Sequence, residues 1–344
     1  MLKAAIIGAT GYTGSELVSI LLNHPNVEIV AITSERFAGK RFSEIHPQFF
    51  GLMDDKLIPS DDLKTDILDV MFLALPHGVS MKFVEKFADT GVKIVDLSGD
   101  YRLSSHEVYE AWYNKPHTFP QAFESVVYGL PELHRASLRS ASLVANPGCF
   151  PTGSILALAP LFKASSIDTD TLFIDAKTGV TGAGNKPSDV THFPNVNDNF
   201  KPYGLKRHRH TIEIEEQLSL VSAKEVVVQF TPHLLPIDRG ILSTIYIPQR
   251  ENSLNETTIL SLYKDMYQDE PFIRLRQDIP DVKNVRGTNY CDIYTTFDNR
   301  TNNLIVVSAI DNLVKGAAGQ AVHNMNIMFG IDEVSGLSIN PLKP

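Results

Sequence analysis

A thiol lies between an apolar strand-like run and an apolar helix-like run, within the stretch Asn146-Pro147-Gly148-Cys149-Phe150-Pro151-Thr152. Pro147 and Pro151 each remove a backbone donor, and Gly148 permits conformations closed to other residues, so a rigid, tight turn is predicted. At a helix start, the N–H groups and the helix dipole favour a thiolate and stabilise a developing oxyanion. Cys149 is therefore the predicted nucleophile. The alternative is a buried cysteine in a strand-to-helix loop, which is common among free cysteines.

Two histidines supply candidate bases for this thiol. His210 directly precedes a helix-like run over residues 211–221, and a spacing of three places Glu213 beside it. The carboxylate can then hold one ring nitrogen while the other faces the cleft, so His210 and Glu213 join Cys149 as predicted catalytic residues. His208 lies two residues earlier on an extended run, projects to the same side, and is predicted to contact the substrate. Simple solvation is the alternative for His210. No metal site is predicted, because no third ligand recurs at a familiar interval.

Positive charge is concentrated in one part of an acidic chain. The formal net charge is −9, yet residues 201–209 form a basic stretch. A stretch of this size fits a small anionic ligand better than a polynucleotide, so neither a nucleic-acid nor a membrane partner is predicted. Arg102, Lys177 and Arg207 are the predicted cationic contacts of the substrate. For Arg102 a surface arginine is the alternative, and which cations bind substrate rather than cofactor phosphate stays open.

The N-terminus has the pattern of a dinucleotide-binding unit. An apolar run over residues 2–7 ends in Gly8-Ala9-Thr10-Gly11-Tyr12-Thr13-Gly14, and a helix-like period follows. Glycines in such a turn let the backbone approach a pyrophosphate and direct the helix N-terminus at it. At the end of the second strand, an acid would bind the ribose 2′-hydroxyl of NAD, whereas a 2′-phosphate requires hydroxyls and cations. Ser34 with Arg36 favours NADP, while Glu35 keeps NAD open; a solvated loop is the alternative for each side chain.

Two further turns follow apolar strand-like runs, at Pro76-His77-Gly78 and Ser98-Gly99-Asp100. The carboxyl ends of parallel strands meet at one edge of a sheet, so these turns are expected near the cofactor. For His77, a loop histidine without a ligand is the favoured alternative. Two later glycine-rich segments add one residue each, and the predicted cofactor contacts are Gly8, Thr10, Gly11, Tyr12, Thr13, Gly14, Ser34, Arg36, Pro76, His77, Ser98, Gly99, Gly182 and Asn312.

The order of elements predicts two domains. Alternating strands and helices in residues 1–148 indicate an α/β, Rossmann-type dinucleotide-binding domain with a parallel sheet, in which residues 104–139 are expected to be irregular. Strands that follow strands in residues 149–311 indicate an α+β domain with a mostly antiparallel sheet. Residues 312–344 are expected to form a C-terminal helix that returns to the first domain. The predicted strands of the second domain cover residues 171–177, 226–230, 240–247, 290–297 and 303–310, and its second helix residues 254–268.

Composition excludes several classes of protein. At 344 residues, 43% hydrophobic and 21% charged, the chain is that of an ordinary globular protein. Two cysteines give no disulfide framework, which suits the reducing cytoplasm. Cys291 alternates with apolar strand residues and is expected to be packed. No apolar segment of membrane-spanning length and no leader-type N-terminus are recognised.

Five segments together closely resemble the N-acetyl-γ-glutamyl-phosphate reductase family, within the semialdehyde dehydrogenase superfamily: residues 8–14, 146–152, 178–184, 208–210 and 315–321. The resemblance covers essentially the whole chain. It implies NADPH-dependent reduction of an acyl phosphate to a semialdehyde in arginine biosynthesis, in which phosphate is released as a cysteine thioester forms, in a homodimer or homotetramer. It also implies that Cys149 is the nucleophile, His210 the acid/base and His208 a substrate contact.

Two enzymatic alternatives stay open from the residues alone, and a third, non-enzymatic one is disfavoured. Aspartate-semialdehyde dehydrogenase shares the glycine turn and the reaction type, and a lysine-pathway reductase would act on the N-blocked aminoadipyl homologue. One methylene changes discrimination by only about 1 to 3 kcal/mol, and the pocket is not visible in a sequence. A nucleotide-sensing regulatory protein would keep the fold without the chemistry. That last alternative predicts a missing nucleophile or base, and both are present.

Overall fold

The computed structural model describes residues 1–164, 167, 172–249, 255–337 and 340–342. Their backbone divides into two compact units. The first comprises Met1–Pro147 and Ala317–Leu337, and the second comprises Gly148–Gly316 with the described residues after 337. The chain thus leaves the first unit one residue before the Gly148-Cys149 pair and re-enters it near the C-terminus.

Strands and helices are numbered in chain order. The strands are β1 (Leu2–Ile7), β2 (Val27–Thr33), β3 (Val70–Leu73), β4 (Lys93–Asp96), β5 (Val127–Tyr128), β6 (Leu143–Ala145), β7 (Phe173–Thr178), β8 (Lys201–Pro202), β9 (Gln229–Leu234), β10 (Ile241–Pro248), β11 (Ile273–Leu275), β12 (Cys291–Asp298) and β13 (Asn303–Ile310). The helices are α1 (Tyr12–Leu21), α2 (Phe42–Ile45), α3 (Ser80–Phe87), α4 (His106–Tyr113), α5 (Pro131–Leu138), α6 (Cys149–Lys163), α7 (Phe193–Val196), α8 (His210–Ser222), α9 (Glu256–Tyr267) and α10 (Gly319–Met328). None of the described helices is long and apolar enough to cross a membrane.

The first unit is built on a parallel sheet with the strand order β2-β1-β3-β4-β6-β5. Strand β3 is buried at every position, which is why its sequence is a continuous apolar run rather than an alternating one. The order reverses on either side of β1, and ligands of such sheets bind at this reversal, beyond the carboxyl ends of the strands. The predicted Rossmann-type α/β architecture is confirmed.

Residues 104–139 are not irregular as expected, because they contain α4, β5 and α5. Helix α4 is capped at its N-terminus by Ser105, whose side chain accepts a hydrogen bond from the Val108 N–H, and at its C-terminus by Asn114, which has a φ of 53°. Its buried Tyr109 and Tyr113 stack with their ring centroids 4.5 Å apart. Helices of two turns present too few apolar positions for a helical period to be recognised.

The second unit is built on a sheet with the order β11-β12-β13-β10-β7-β9-β8. Most pairings are antiparallel, as predicted, while β7 pairs with β9 and β11 with β12 in parallel. Helix α6 crosses one face of this sheet and is buried along nearly its whole length. The strand expected at residues 226–230 begins only at Gln229, and residues 171 and 254, at predicted element starts, lie outside the described residues.

Helix α10 belongs to the first unit, where it packs against α1 and α5. Its fully buried His323 binds the Glu333 carboxylate at 2.7 Å, and Arg135 of α5 binds the same carboxylate at 2.8 Å. Burial alone would raise the pKa of Glu333, but the hydrogen bonds from His323 and Arg135 outweigh it and hold the pKa at about 2. The ionised form of Glu333 therefore fastens α10 to α5.

Acid is expected to weaken this fastening. Because folding lowers the pKa of Glu333 from 4.5 to about 2, its contribution is complete above pH 4.5 and is lost as the pH falls towards 2. Glu333→Gln should lower the free energy of unfolding by about 2 to 3 kcal/mol at pH 7, and the difference from wild type should shrink in acid. Urea unfolding from pH 7 to pH 3 measures both quantities. A difference independent of pH would contradict the assignment.

Candidate active site

Cys149 is the first residue of α6, and Gly148 is its N-cap, with φ −67° and ψ 154°. The Gly148 carbonyl accepts hydrogen bonds from the Thr152 N–H at 3.0 Å and from the Thr152 hydroxyl at 2.9 Å. Helix α6 thus begins at the thiol itself, four residues before the apolar run over residues 153–162 that indicated a helix. The first N–H groups of a helix have no intrahelical acceptor, so the side chain of Cys149 is placed at the positive end of the helix dipole.

Glu213, on α8, accepts a hydrogen bond from the backbone of this turn. Its side chain is 1% exposed, and Oε1 accepts a hydrogen bond of 2.8 Å from the Gly148 N–H. A buried carboxylate needs such donors, because burial without them costs several kcal/mol or more. The bond fixes the backbone immediately before Cys149, so the predicted catalytic residue Glu213 contacts the Pro-Gly-Cys turn directly.

His210 is the first residue of α8 and lies against the same turn. A Cβ atom at Gly148 would lie 2.8 Å from the His210 Cδ2 and would also collide with Nε2. Only glycine allows the imidazole to approach this closely, which adds a steric reason for Gly148 to its role in the turn. The structure therefore brings the predicted residues Cys149, His210 and Glu213 together around one glycine.

His208 lies beside His210, with their ring centroids 4.8 Å apart. Its ring also meets Phe150, Tyr203 and Phe230 edge to face. Burial, reinforced by the Arg209 charge, lowers the pKa of His208 to about 4. Its Nδ1 accepts a hydrogen bond of 3.2 Å from the His210 N–H, so the neutral ring carries its proton on Nε2. His208 is thus a neutral hydrogen-bond donor at physiological pH.

Tyr203 was not expected at this site. Burial and the neighbouring charge of Cys149 raise the pKa of Tyr203 above its ordinary value, so its hydroxyl stays protonated. Nothing in the sequence distinguished this tyrosine from the other ten. Its position follows from β8, which pairs with β9 through a long-range register that local periodicity does not encode.

The predicted cationic contacts fall in different places. Arg207 lies in the exposed loop that leads to α8. Ala176 and Thr178 lie on the same sheet face as Ser308, and that face contacts α6 at Gly153. Lys177 lies between them in β7, so it points to the opposite face of the sheet. There it pairs with Asp175 at 2.7 Å. This location contradicts Lys177 as a substrate contact at Cys149: adjacent strand residues point to opposite faces, and the sheet separates them.

Arg102 belongs to the first unit and is 7% exposed. It donates to the Asn146 carbonyl at 2.7 Å and to the Leu97 carbonyl at 2.8 Å. These carbonyls follow β6 and β4, so the guanidinium joins two strand ends just before the Pro-Gly-Cys turn. A surface arginine, the alternative considered above, is thereby excluded.

The glycine turn between β1 and α1 has the geometry that a pyrophosphate requires. Gly8 has a φ of +83°, and a Cβ atom at Gly14 would lie 2.5 Å from the Gly8 carbonyl oxygen. Of the described residues beyond the chain neighbours of Gly11, one atom lies within 4 Å of a Cβ added there, namely the same oxygen at 3.8 Å, so the turn is open on that side. Thr10 and Ser34 join through their hydroxyls at 3.2 Å, which places Ser34 at the turn. Tyr12 and Thr13 begin α1.

The acid at the end of β2 is engaged elsewhere. Glu35 Oε1 accepts the Ser60 N–H at 3.0 Å, and the hydrogen bonds from Ser60 lower the pKa of Glu35. The adjacent Arg36 is exposed, and its guanidinium carbon lies 5.0 Å from the centroid of the Phe37 ring. The loop thus exposes the cation of Arg36 beside the buried Ser34, whose hydroxyl is bonded to Thr10, while the Glu35 carboxylate caps the turn at Ser60.

The turns after β3 and β4 are bonded to each other. His77 Nδ1 accepts the Gly99 N–H at 2.7 Å, and Asp100 accepts the Gly78 N–H at 2.7 Å. Ser98 donates its hydroxyl to Asp96 at 2.8 Å. Pro76, His77, Ser98 and Gly99 therefore form one connected edge of the parallel sheet.

Gly182 and Asn312, the remaining predicted cofactor contacts, lie in the second unit. Asn312 accepts the Gly240 N–H at 2.7 Å and donates to the Thr181 hydroxyl at 2.9 Å. A Cβ at Gly182 would lie 3.9 Å from the Asn312 Nδ2. The amide thus joins two loops beside Gly182. Within the described part of the chain, no group of three or more His, Cys, Asp or Glu side chains is placed to hold a metal ion.

Comparisons with known proteins agree with this geometry. Residues 3–141 match the family model of the semialdehyde dehydrogenase NAD binding domain, and residues 149–312 match the semialdehyde dehydrogenase dimerisation domain. Among solved structures, aspartate semialdehyde dehydrogenase II complexed with ASA from Vibrio cholerae superposes with a TM-score of 0.74 at 16% identity, over 96% of this chain and 98% of that one. Aspartate semialdehyde dehydrogenase with NADP from Candida albicans gives 0.71 at 17% identity, over 96% and 98%. These likenesses show the fold.

Curated relatives are closer in sequence. N-acetyl-gamma-glutamyl-phosphate reductase of Pelotomaculum thermopropionicum is 48% identical over 99% of both chains. The protein of the same name from Alkaliphilus metalliredigens is 47% identical over 100% of both, and that from Methanococcus maripaludis is 46% identical over 100% of both. Identity of this degree along the whole length confirms the resemblance drawn from the five motifs. The chain belongs to the N-acetyl-gamma-glutamyl-phosphate reductase family, whose two domains are those of the semialdehyde dehydrogenases.

Proposed function

We propose that this protein reduces N-acetyl-γ-glutamyl phosphate to N-acetylglutamate 5-semialdehyde with NADPH, releasing phosphate, as a step of arginine biosynthesis in the cytoplasm. The observation that carries the proposal is the start of α6, where Cys149 lies at a helix N-terminus with His210 packed against the preceding Gly148. A thiolate placed there is both nucleophilic and next to donors for an oxyanion. Two free cysteines and no disulfide among the described residues fit a reducing compartment.

In the first step, the Cys149 thiolate attacks the acyl carbon, a C–S bond forms, and the C–O bond to phosphate breaks. The leaving phosphate takes the bonding electron pair and a thioester remains on Cys149. The N–H of Phe150, in the first turn of α6, is an expected donor to the oxyanion of the tetrahedral intermediate. Arg207 and the neighbouring basic stretch are proposed to offset the phosphate charge.

NADPH, when bound, supplies the hydride that reduces the thioester. Around that reduction, His210 accepts the thiol proton that activates Cys149, and protonates the departing sulfur as the C–S bond of the thiohemiacetal breaks. Burial and the Arg209 charge lower the pKa of His208 to about 4, so its ring is neutral near pH 7, and its Nδ1 already accepts the His210 N–H. We therefore assign the acid/base role to His210 and a hydrogen bond to the substrate to the Nε2–H of His208.

The proposed preference for NADP over NAD rests on the loop after β2. The 2′-phosphate would contact the Ser34 hydroxyl and the Arg36 guanidinium, and the backbone of residues 8–14 would hold the pyrophosphate. Pro76, His77, Ser98 and Gly99 line the same sheet edge, and Gly182 and Asn312 are proposed further contacts. The Glu35 carboxylate, which would serve the ribose 2′-hydroxyl of NAD, is bound by the Ser60 N–H.

Arg36→Glu should reverse this preference. We expect the KM for NADPH to rise about 30-fold or more, because a phosphate contact is replaced by like-charge repulsion, while the KM for NADH changes little. Glu35→Gln is the matched control, since it changes a carboxylate in the same loop and should leave the ratio of the two KM values near wild type. Initial rates with each cofactor give both ratios. An unchanged ratio in Arg36→Glu would place the 2′-phosphate elsewhere.

We propose a homodimer, or a tetramer built from it, formed through the sheet face opposite α6. Across that face Tyr246 of β10 lies directly beside Ile305 of β13, and Leu242 is also half-buried. Tyr246 is 39% exposed in the single chain. Partly exposed apolar side chains on a sheet face suit contact with a second copy, and the dimerisation-domain match covers the same residues.

Ile305→Arg is expected to convert the oligomer to a monomer, because a guanidinium would be buried at the centre of the proposed interface. Leu220→Arg is the control, since Leu220 is 68% exposed on α8 rather than on the sheet. Light scattering after size-exclusion chromatography measures the mass of each variant. Equal masses for wild type and Ile305→Arg would exclude this face.

The direct test of the activity is phosphate- or arsenate-dependent reduction of NADP by the purified protein. N-acetylglutamate semialdehyde and aspartate semialdehyde are offered in parallel. Turnover with the first alone is the expected result. Turnover with the second alone would assign the protein to the aspartate reaction, and activity with neither would overturn the proposal and direct attention to the N-blocked aminoadipyl homologue.

A further inference from the structure

We propose that the Asp311 carboxylate is a positioning group for Cys149, acting through the backbone of Gly316. The inference deepens the proposed function, because it assigns another residue to the same reaction. Both residues belong to the second unit, which also contains Cys149, His208 and His210. Neither was among the residues expected to take part in the chemistry.

The Asp311 side chain is fully buried and is held from several directions. Oδ2 accepts the Gly287 N–H at 2.7 Å and lies 3.3 Å from the Arg239 Nε. Oδ1 accepts the N–H groups of Leu313 at 2.8 Å and Val314 at 3.1 Å. A buried carboxylate with three backbone donors and a guanidinium is rigid, because each bond that is broken leaves a buried polar group unsatisfied.

These bonds fix the chain that leads to Gly316. Leu313 and Val314 follow Asp311 directly, and the Asp311 carbonyl accepts the Gly316 N–H at 2.9 Å. Residues Val314–Ala318 form a π-helical turn, a rare conformation that is frequent at functional sites. Lys315 within it is fully buried, with Nζ 5.6 Å from the centroid of the Phe272 ring. The carboxylate thus acts as the N-terminal cap of this unusual turn.

Gly316 places the turn against the nucleophile. A Cβ atom there would lie 2.8 Å from the Cys149 Cβ and 3.3 Å from the Cys149 Cα. The backbone of Gly316 therefore bounds the space in which the Cys149 side chain can rotate. Because the reactivity of a thiol at a helix start depends on its facing the N–H groups, a fixed Gly316 restricts Cys149 to that orientation.

The experiment compares Asp311→Asn, Gly316→Ala and a control. In Asp311→Asn we expect kcat to fall about tenfold or more with KM within about twofold of wild type, because misplacement of a reacting group costs rate rather than binding. Alkylation of Cys149 by iodoacetamide, mapped by peptide mass spectrometry, should slow about tenfold in both variants. Gly316→Ala leaves the carboxylate and its donors unchanged and adds a methyl group at the point of contact.

Asp238→Asn is the matched control, because it makes the same exchange at a carboxylate that is 75% exposed and lies 3.5 Å from Arg286. It should keep wild-type kcat and alkylation. A lower Tm for Asp311→Asn with unchanged kcat and alkylation would overturn the proposal, as a purely structural role predicts. If Asp311→Asn does not fold, Gly316→Ala decides, since wild-type alkylation there excludes any effect of the turn on Cys149. Alkylation needs no substrate, so the proposed reaction can fail while this inference stands.

Discussion

Cys149→Ser should reduce kcat by about 10⁴-fold or more, since removal of a covalent nucleophile costs this much in enzymes of comparable logic. A serine hydroxyl at the start of α6 keeps the hydrogen-bonding geometry but is not ionised near pH 7, so the acyl transfer to the enzyme has no effective nucleophile. The Kd for NADPH should stay at its wild-type value, because Cys149 is not among the proposed cofactor contacts. Stopped-flow acylation and fluorescence titration of NADPH measure the two quantities.

Cys291→Ser makes the same exchange at a fully buried position in β12. It is expected to lower the free energy of unfolding, since a hydroxyl replaces a packed thiol, and to leave kcat per folded enzyme unchanged. If Cys149→Ser turned over at near the wild-type rate, the thioester mechanism would be wrong. If Cys291→Ser instead abolished acylation, the nucleophile would have been assigned to the wrong cysteine.

His210→Gln is expected to have the second largest effect, a loss of about 10² to 10⁴ in kcat, because a general acid/base is removed while the residue stays able to form hydrogen bonds. The variant should also lose the limb of the pH–kcat profile that the imidazole controls. Alkylation of Cys149 at pH 7 should slow in parallel, since His210 lies against Gly148 and its proposed role is to assist formation of the thiolate. A pH–rate profile from pH 5 to pH 9 tests this directly.

His208→Gln separates the two histidines. His208 remains neutral above pH 5, because burial and Arg209 lower its pKa to about 4, so its loss should raise KM more than it lowers kcat. The shape of the pH profile should stay that of wild type. A profile altered by His208→Gln but not by His210→Gln would exchange the roles of the two residues.

Much of the fold could be predicted from local sequence patterns. The run over residues 2–7 is β1 from its first residue to its last, and residues 303–310 coincide with β13. In both cases a buried strand produces a period that is visible within a few residues. The prediction that residues 104–139 are irregular is wrong, because the packing of Tyr109 on Tyr113 stabilises a short helix whose sequence has little helical period.

The residue types of the candidate site could be predicted from the sequence, but most of its geometry could not. Cys149, His210 and Glu213 were identified because a thiol, a base and an acid stand next to turn and helix starts. The bond from the Gly148 N–H to Glu213 spans 65 residues of sequence, and no spacing rule reaches that far. The prediction that Lys177 contacts the substrate fails for a different reason. Alternation along a strand separates two faces, but the sequence does not say which of the two faces α6 covers.

The sequence by itself determined the reactive groups available to this protein: a thiol at a proline- and glycine-bounded helix start, a histidine before an acidic helix, and a glycine turn after the first strand. These features depend on backbone restrictions of single residues and on short periods, which are local properties. Only the tertiary structure decided what those groups contact. Glu213 supports the turn, Glu35 turns to Ser60, Arg102 joins two strand ends, and Asp311 fixes Gly316 against Cys149. The physical reason is that buried polar groups take the partners that folding brings to them, and those partners are distant in sequence.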